Sequence, residues 1–167
     1  MKEMKKAVLL FALMWNKEEY LTKAENILEK NFGKKILETE PFSLDYSTYY
    51  QKEMGEGLLK KFVAFDKFIE KDRLLQIKKL SMEIEDSLRI KGNRTVNIDP
   101  LYLDEYQVVV ASSKDKGSRI YLGDGIFAEL ELLYHHGSFQ PLIWTYLDYK
   151  NHIDFFNKVR KYYLKNV

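Results

Sequence analysis

Cysteine is absent from this 167-residue chain, which excludes disulfides, thiol catalysis and cysteine metal sites together. Proline is scarce, with three residues, and glycine numbers only eight. No linker, low-complexity segment or internal repeat divides the sequence, so residues 1–167 read as a single domain. An excess of one charge is lacking as well: the net charge is +2. Nucleic-acid binders carry a basic excess or a basic stripe, so nucleic acid is not an expected partner. No apolar run is long enough to span a bilayer. Lys2, Lys5 and Lys6 precede the run Ala7 to Trp15 as in a secretory signal, but Asn16-Lys17-Glu18-Glu19 stands where a small-residue cleavage site belongs. The run therefore reads as a buried strand, and the protein is placed in the cytoplasm with no membrane partner.

The familiar phosphate and catalytic devices are missing too. There is no G-x-x-x-x-G-K-[ST], no G-x-G-x-x-G opening a helix, no H-E-x-x-H and no G-x-S-x-G. Gly123-Asp124-Gly125 is followed by strand-like sequence instead. The adjacent His135 and His136 would point to opposite sides of a strand, and beside Gly137 they read as turn residues rather than metal ligands.

What remains is a globular composition, 46% hydrophobic and 31% charged, whose abundant Lys and Glu suit a thermophile. The continuous apolar run Ala7 to Trp15 predicts a central strand covered on both faces. Asn16 and Glu19 suggest a capping box opening a helix with Tyr20, Leu21, Ala24, Ile27, Leu28 and Phe32 on one face, closed by Gly33. Weak alternation over 35–42 suggests a second strand, and Lys60 to Asp66 a better one. The segment 45–57 reads as a loop with one helical turn. Asp72 would cap a helix reaching about Ile90, with Leu74, Ile77, Leu80, Ile84 and Leu88 buried. A short extended piece ends at Asp99-Pro100, because proline interrupts what precedes it. Tyr106 to Ser112 is a β-branched strand. Ile126 to Tyr134 alternates, placing Ile126, Ala128, Leu130, Leu132 and Tyr134 on one face, and Phe139 to Trp144 returns as its partner. Asp148 or Asn151 caps a closing helix. The predicted fold is α+β: a mainly antiparallel sheet with a ferredoxin-like βαββαβ core, extended by C-terminal strands and a closing helix, its helices mainly on one face.

Candidate chemistry is dispersed. Glu129 and Glu131 lie two apart on a strand, so both carboxylates leave one face and could divide acid and base duties or hold a divalent cation; a wet sheet face explains them equally. Asn97 and Asp99 stand at a strand end, suited either to a ligand or to a turn before Pro100. Lys114 and Arg119 bracket the turn SSKDKGS and could clamp an anion, Arg119 in bidentate fashion. Trp144, Thr145, Tyr146 and Tyr149 near Asp148 could wall a planar ligand, or simply be core. The long loop 39–55 adds Glu40, Asp45, Tyr49, Tyr50 and Glu53.

The segments TEPFSLDYSTYYQKEMGEGL, VNIDPLYL, VVVASSKDKGSRIYLGDGIFAEL and PLIWTYLDY together resemble the bacterial domain-of-unknown-function family 4416. The resemblance covers most of the chain. It singles out Glu40, Asp45, Tyr49, Tyr50, Glu53, Asn97, Asp99, Lys114, Arg119, Tyr121, Glu129, Trp144, Thr145, Asp148 and Tyr149. Leu101, Phe127 and Leu147 depart from the pattern, and Glu131 lies outside it, which leaves Glu129 as the carboxylate the resemblance favours. Members sometimes carry the label GTP-binding protein. With neither a phosphate loop nor an Asn-Lys-x-Asp motif, a GTPase of that kind is excluded here.

Two functions stay open. In the first, the chain is a ligand-binding domain or enzyme for a small anionic or nucleotide-like molecule. Glu129 and Asp99 would then do acid–base work, while Lys114, Arg119, Asn97, Tyr121, Trp144, Tyr50, Glu40 and Asp148 bind the ligand. No metal is assigned, and the sequence names no cofactor. In the second, the chain is a non-catalytic interaction module that dimerises through its sheet. The first requires the dispersed motifs to converge; the second requires an open apolar sheet face and no hollow.

Overall fold

The computed structural model describes residues 2–44 and 48–167; Asp45 lies outside them. Its elements begin with Val8–Trp15 (β1), Glu18–Phe32 (α1), Lys35–Glu38 (β2), Phe42–Ser43 (β3), Gln51–Met54 (α2) and Leu59–Phe65 (β4). A short 3₁₀ turn then leads into Leu74–Ser87 (α3), followed by Val96–Leu103 (β5), Gln107–Ser112 (β6), Ile120–Gly123 (β7), Ile126–His135 (β8) and Ser138–Pro141 (β9). Leu147–Lys150 (α4) and Ile153–Asn166 (α5) close the chain.

The nine strands form one sheet in the order β2-β4-β1-β5-β6-β8-β7, with β3 added to β4 and β9 to β8. Each of these strand pairs runs antiparallel. The apolar run becomes the central strand β1, all eight of its residues buried. Alternation divides them. Leu9, Phe11, Leu13 and Trp15 pack with Leu21, Ala24 and Leu28 of α1 and Ile77 and Ile84 of α3. Val8, Leu10 and Ala12 pack with Phe156, Val159 and Tyr163 of α5. Helices thus cover both faces. The expectation of helices mainly on one face gives way because α5 carries an apolar stripe of its own, at spacings of three and four.

Several local expectations change for identifiable reasons. Asn16 does not cap α1; the cap position is Lys17, without a side-chain bond. The Asn16 amide instead donates to the carbonyls of Met54 and Glu56, tying the end of β1 to the chain after α2. Asp72 falls inside the 3₁₀ turn, and α3 starts from Arg73 without a side-chain cap. Neither Asp148 nor Asn151 caps α5, whose cap position is His152. Pro100 does not end its strand: β5 continues through it, opposite Phe11 of β1. On the other side the β5–β6 ladder starts only at Leu101, so no partner there asks for the N–H that proline lacks.

A register shift marks β8. Val108 of β6 pairs with Leu132 and Val109 with Leu130, so Glu131 is an extra residue, a β-bulge. The bulge splits the single face expected for this strand. Ala128 and Leu130 pack with Ile126 against Leu74 of α3, whereas Leu132 and Tyr134 belong to the α5 side. Among the described residues no helix is long and apolar enough to cross a membrane.

The α5-side core centres on Phe62, fully buried and ringed by Phe42, Tyr149, His152, Phe155 and Phe156 at centroid distances of 5.0–6.4 Å. We predict that Phe62→Ala lowers stability by about 3–5 kcal/mol. In urea unfolding this is read as a lower midpoint with an unchanged slope.

Candidate functional site

On the α5 side each strand changes from apolar to polar at nearly the same height. On β1 Ala12 gives way to Met14, and on β4 Phe62 gives way to Lys60. On β5 Leu101 is followed inwards by Asp99 and Asn97, and on β6 Val110 by Ser112. The register aligns these changes: Met14 sits opposite Lys60 on one side and Asn97 on the other, and Val110 sits opposite Glu129. Phe156, Val159 and Tyr163 of α5 pack on the apolar half. Over the polar half lies a cavity of about 1020 Å³, edged by Tyr50 and Glu53 at α2, Lys114 and Lys116 after β6, and Tyr146 and Asp148 at α4.

The opening between β5 and β6 is what lets α3, on the far face, reach this cavity. Lys78 donates to Asp99 Oδ1 at 2.9 Å and approaches the Ile98 carbonyl at 3.4 Å. The Glu85 carboxylate accepts the Ile98 N–H at 2.7 Å, supplying the acceptor that β6 does not. Asn97 donates to Asp99 Oδ2 at 3.0 Å and accepts from Arg94 Nη1 at 2.8 Å. Arg94 in turn forks onto Glu53 through Nε and Nη2. The result is a continuous chain, Glu53–Arg94–Asn97–Asp99–Lys78. Burial pushes the Asp99 carboxyl upward, but Lys78 and the Asn97 amide outweigh it and hold the group below its ordinary value. About a quarter of its side-chain surface, 26%, remains open. Glu85 differs: burial dominates the attraction of Lys78 and the Ile98 N–H, and its pKa rises to about 7.

Across the cavity the cations have a different character. The Lys114 ammonium lies 3.8 Å from the centroid of the Tyr49 ring and 4.8 Å from that of Tyr50, and donates to the Tyr50 hydroxyl at 3.1 Å. Burial holds its pKa below the lysine norm. Lys116 rests on Tyr146 by ring face and hydroxyl. Neither lysine meets a carboxylate among the described residues. Arg119, by contrast, is fully committed: Nε to Glu129 at 3.1 Å, Nη1 to the Ser112 hydroxyl and the Lys114 carbonyl, each at 2.8 Å, and Nη2 to the Tyr146 hydroxyl at 3.1 Å. Its guanidinium holds the loop that carries Lys114. It presents no free fork to an anion.

Beneath this loop sit Glu129 and Glu131, both buried. Glu129 Oε2 accepts from Ser118 and Arg119, while its Oε1 and both oxygens of Glu131 meet no donor among the described residues. The Tyr146 N–H faces Glu131 and tempers its pKa, without the full geometry of a hydrogen bond. The two carboxyls are each other's partners if one carries a proton. Burial, then Glu129, then Asp148 raise the pKa of Glu131 to about 9. Burial acts upward on Glu129 as well, but the Glu131 proton, Ser118 and Arg119 leave it below the usual value. Asp148 is neutralised by a close ion pair with Lys60. Among the described residues no three His, Asp or Glu side chains gather to hold a metal ion.

The profile of the family described as Domain of unknown function (DUF4416) matches residues 5–163. The chain belongs to this family. No curated protein and no solved structure matches it. Of the ten residues assigned to acid–base work or ligand binding, Tyr50, Asn97, Asp99, Lys114, Arg119 and Asp148 line this cavity, joined by Tyr49, Glu53, Tyr146 and Tyr149 from the same motifs. Glu129 stands behind it, bonded to Arg119. Glu40, Tyr121 and Trp144 are not among the lining residues. Glu40 is exposed beside β3, Tyr121 packs at a tilt against Phe127 and accepts the Gly125 N–H, and the Trp144 indole donates to the Leu130 carbonyl. Sequence reasoning passed over Lys60, Lys78, Glu85 and Arg94, and set Glu131 aside because this DUF4416 pattern lacks it. A signal existed for Lys78 and Glu85: each follows directly on an isoleucine of the buried stripe of α3, where a solvated charge does not belong.

Glu131 gives a pH prediction. Its pKa is higher folded than unfolded, so the folded chain keeps a proton that the unfolded chain releases. The associated stability is fully present below about 4.5 and declines as pH rises towards about 9. At pH 7 the loss is on the order of 3 kcal/mol. Glu131→Gln keeps the volume without the titration. Its melting temperature is expected to exceed that of the parent at pH 7–8, and the two are expected to converge near pH 4.

Proposed function

We propose that this protein is a ligand-binding domain or enzyme whose cavity takes a small anionic, nucleotide-like molecule. The observation that carries the reading is convergence: six of the proposed positions, separated by up to about a hundred residues, line one hollow. A cavity of about 1020 Å³ is at the upper end of the range used for small molecules and cofactors. Among the described residues seven cationic and seven acidic side chains line it, so its charge depends on protonation. With Glu131 neutral the balance turns positive. The carboxylates Glu53, Asp99 and Asp148 already have cationic partners, whereas Lys114 and Lys116 face tyrosines. An anionic group would therefore settle against Lys114 and Lys116, with Tyr49, Tyr50 and Tyr146 offering ring faces to a planar part.

The strand order β2-β4-β1-β5 with α1 and α3 on one face fits the ferredoxin-like core expected from the sequence, and we read it so. The interaction-module alternative requires an open sheet face and no hollow. The cavity and the helices on both sheet faces favour the first reading.

A thermal-shift screen of nucleotides, sugar phosphates and inorganic phosphate tests this directly. At least one anion is expected to raise the melting temperature, with binding weakened tenfold or more in Lys114→Ala. A screen without a hit, or a hit indifferent to Lys114, would overturn the reading.

A further inference from the structure

The cavity contains a group that neither the fold nor the ion-pair networks require. Glu131 is completely buried and both of its carboxyl oxygens lack a donor, yet it is counted among the residues lining the cavity. The β-bulge sets it apart: Glu131 has no partner residue on β6, so it stands outside the regular ladder beside the cavity. An unsatisfied ionised carboxylate in such a place is strongly unfavourable. A single proton held between Glu131 and Glu129 Oε1 removes the second buried charge and gives each glutamate a hydrogen-bond partner.

We propose that Glu131 and Glu129 share one proton and that Glu131 is the hydrogen-bond donor with which the cavity receives an oxyanion of its ligand, a phosphate or carboxylate. Glu129 is the positioning residue, fixed by Arg119 and Ser118. The groups facing Glu131 agree on where the proton resides. Glu129 on its own strand has a cationic partner in Arg119, and Asp148 on α4 has one in Lys60. The Tyr149 hydroxyl adds no positive charge, and the Tyr146 N–H opposes the proton only weakly, as the last of the influences on Glu131. Glu131 alone has no cation beside it. The chemistry needs no covalent step: the ligand oxygen replaces Glu129 as acceptor of the shared hydrogen, and the neutral carboxyl avoids the repulsion that a second carboxylate would impose on an incoming anion.

The proposal deepens the anion-binding reading and rests on it for the ligand, but the proton itself can be observed without any ligand. Infrared difference spectra of the full chain at pH 7.5, wild type minus Glu131→Gln, are expected to show the C=O band of a protonated carboxyl. If no such band appears, the shared proton does not exist and the proposal fails, whatever the cavity binds. Inorganic phosphate is then titrated into both proteins at pH 8 and pH 10 by calorimetry. The wild type is expected to lose about tenfold in affinity between these values as its proton dissociates. Glu131→Gln, a permanent donor with the same lysines, should change at least fivefold less. Equal losses in the two proteins overturn the donor role. A band without any phosphate binding overturns both that role and the reading of the cavity as an anion site. A band with a binding loss on Lys114→Ala but none that distinguishes Glu131→Gln overturns the donor role alone.

Discussion

Pro100 has no N–H to give, and the β5–β6 ladder begins one residue beyond it, at Leu101. From Pro100 back to Val96, β5 is held by β1 on one side only. Everything in the site depends on that opening. A continuous sheet would have separated α3 from the α5 side, and Lys78 could not have reached Asp99. With the ladder absent, the Ile98 N–H and carbonyl need partners, and α3 supplies both: Glu85 accepts from the one and Lys78 approaches the other. The charges on α3 therefore satisfy backbone and cavity at once. Placing a lysine and a glutamate on a buried helix stripe is unfavourable in isolation; here the gap in the sheet makes it consistent.

How far this was legible in the sequence follows from the kind of signal each part carries. β1 and α1 were readable because continuous burial and 3.6-residue spacing leave direct patterns in the chain. The position of Asp99 was readable as polar sequence before a proline, but proline was expected to end the strand. Its effect is lateral, on the neighbouring ladder, and a one-dimensional pattern does not say on which side a strand is paired. Arg119 reads in the sequence as one half of an anion clamp, yet its partners are Glu129, Ser112 and Tyr146 rather than a ligand; a guanidinium looks the same in sequence whether its donors are free or engaged. Trp144 sits in a motif that folds near the site without its ring entering it. The indole needs a hydrogen-bond acceptor, and the Leu130 carbonyl, next to the bulge, provides one.

Glu131 was the hardest to read. The alternating run from Ile126 to Tyr134 gave a clean two-residue period, and a bulge is invisible to that period because it adds a residue without changing composition. Once Leu130 and Leu132 are seen on different faces, the same letters mean something else: two adjacent hydrophobic clusters joined at a polar corner. That corner brings Glu129 and Glu131 together under Arg119. The carboxylates share a face, as alternation expects; the period breaks only after Glu131, where Leu132 turns to the α5 side.

The two ends of the cavity floor hold carboxyls driven in opposite directions. Asp99 has Lys78 and Asn97 and stays ionised, whereas Glu131 has another acid beside it and keeps a proton. Such divergence arises from environment alone, since the side chains have similar intrinsic acidity. It costs stability at Glu131, where a glutamine would fill the same space without desolvating a carboxyl, and gains some at Asp99, where the lysine would otherwise be buried alone. A fold selected only for stability has no reason to retain the first arrangement beside the second. Retaining both is what a cavity needs if one carboxyl is to accept hydrogen bonds and another is to donate one at the same pH.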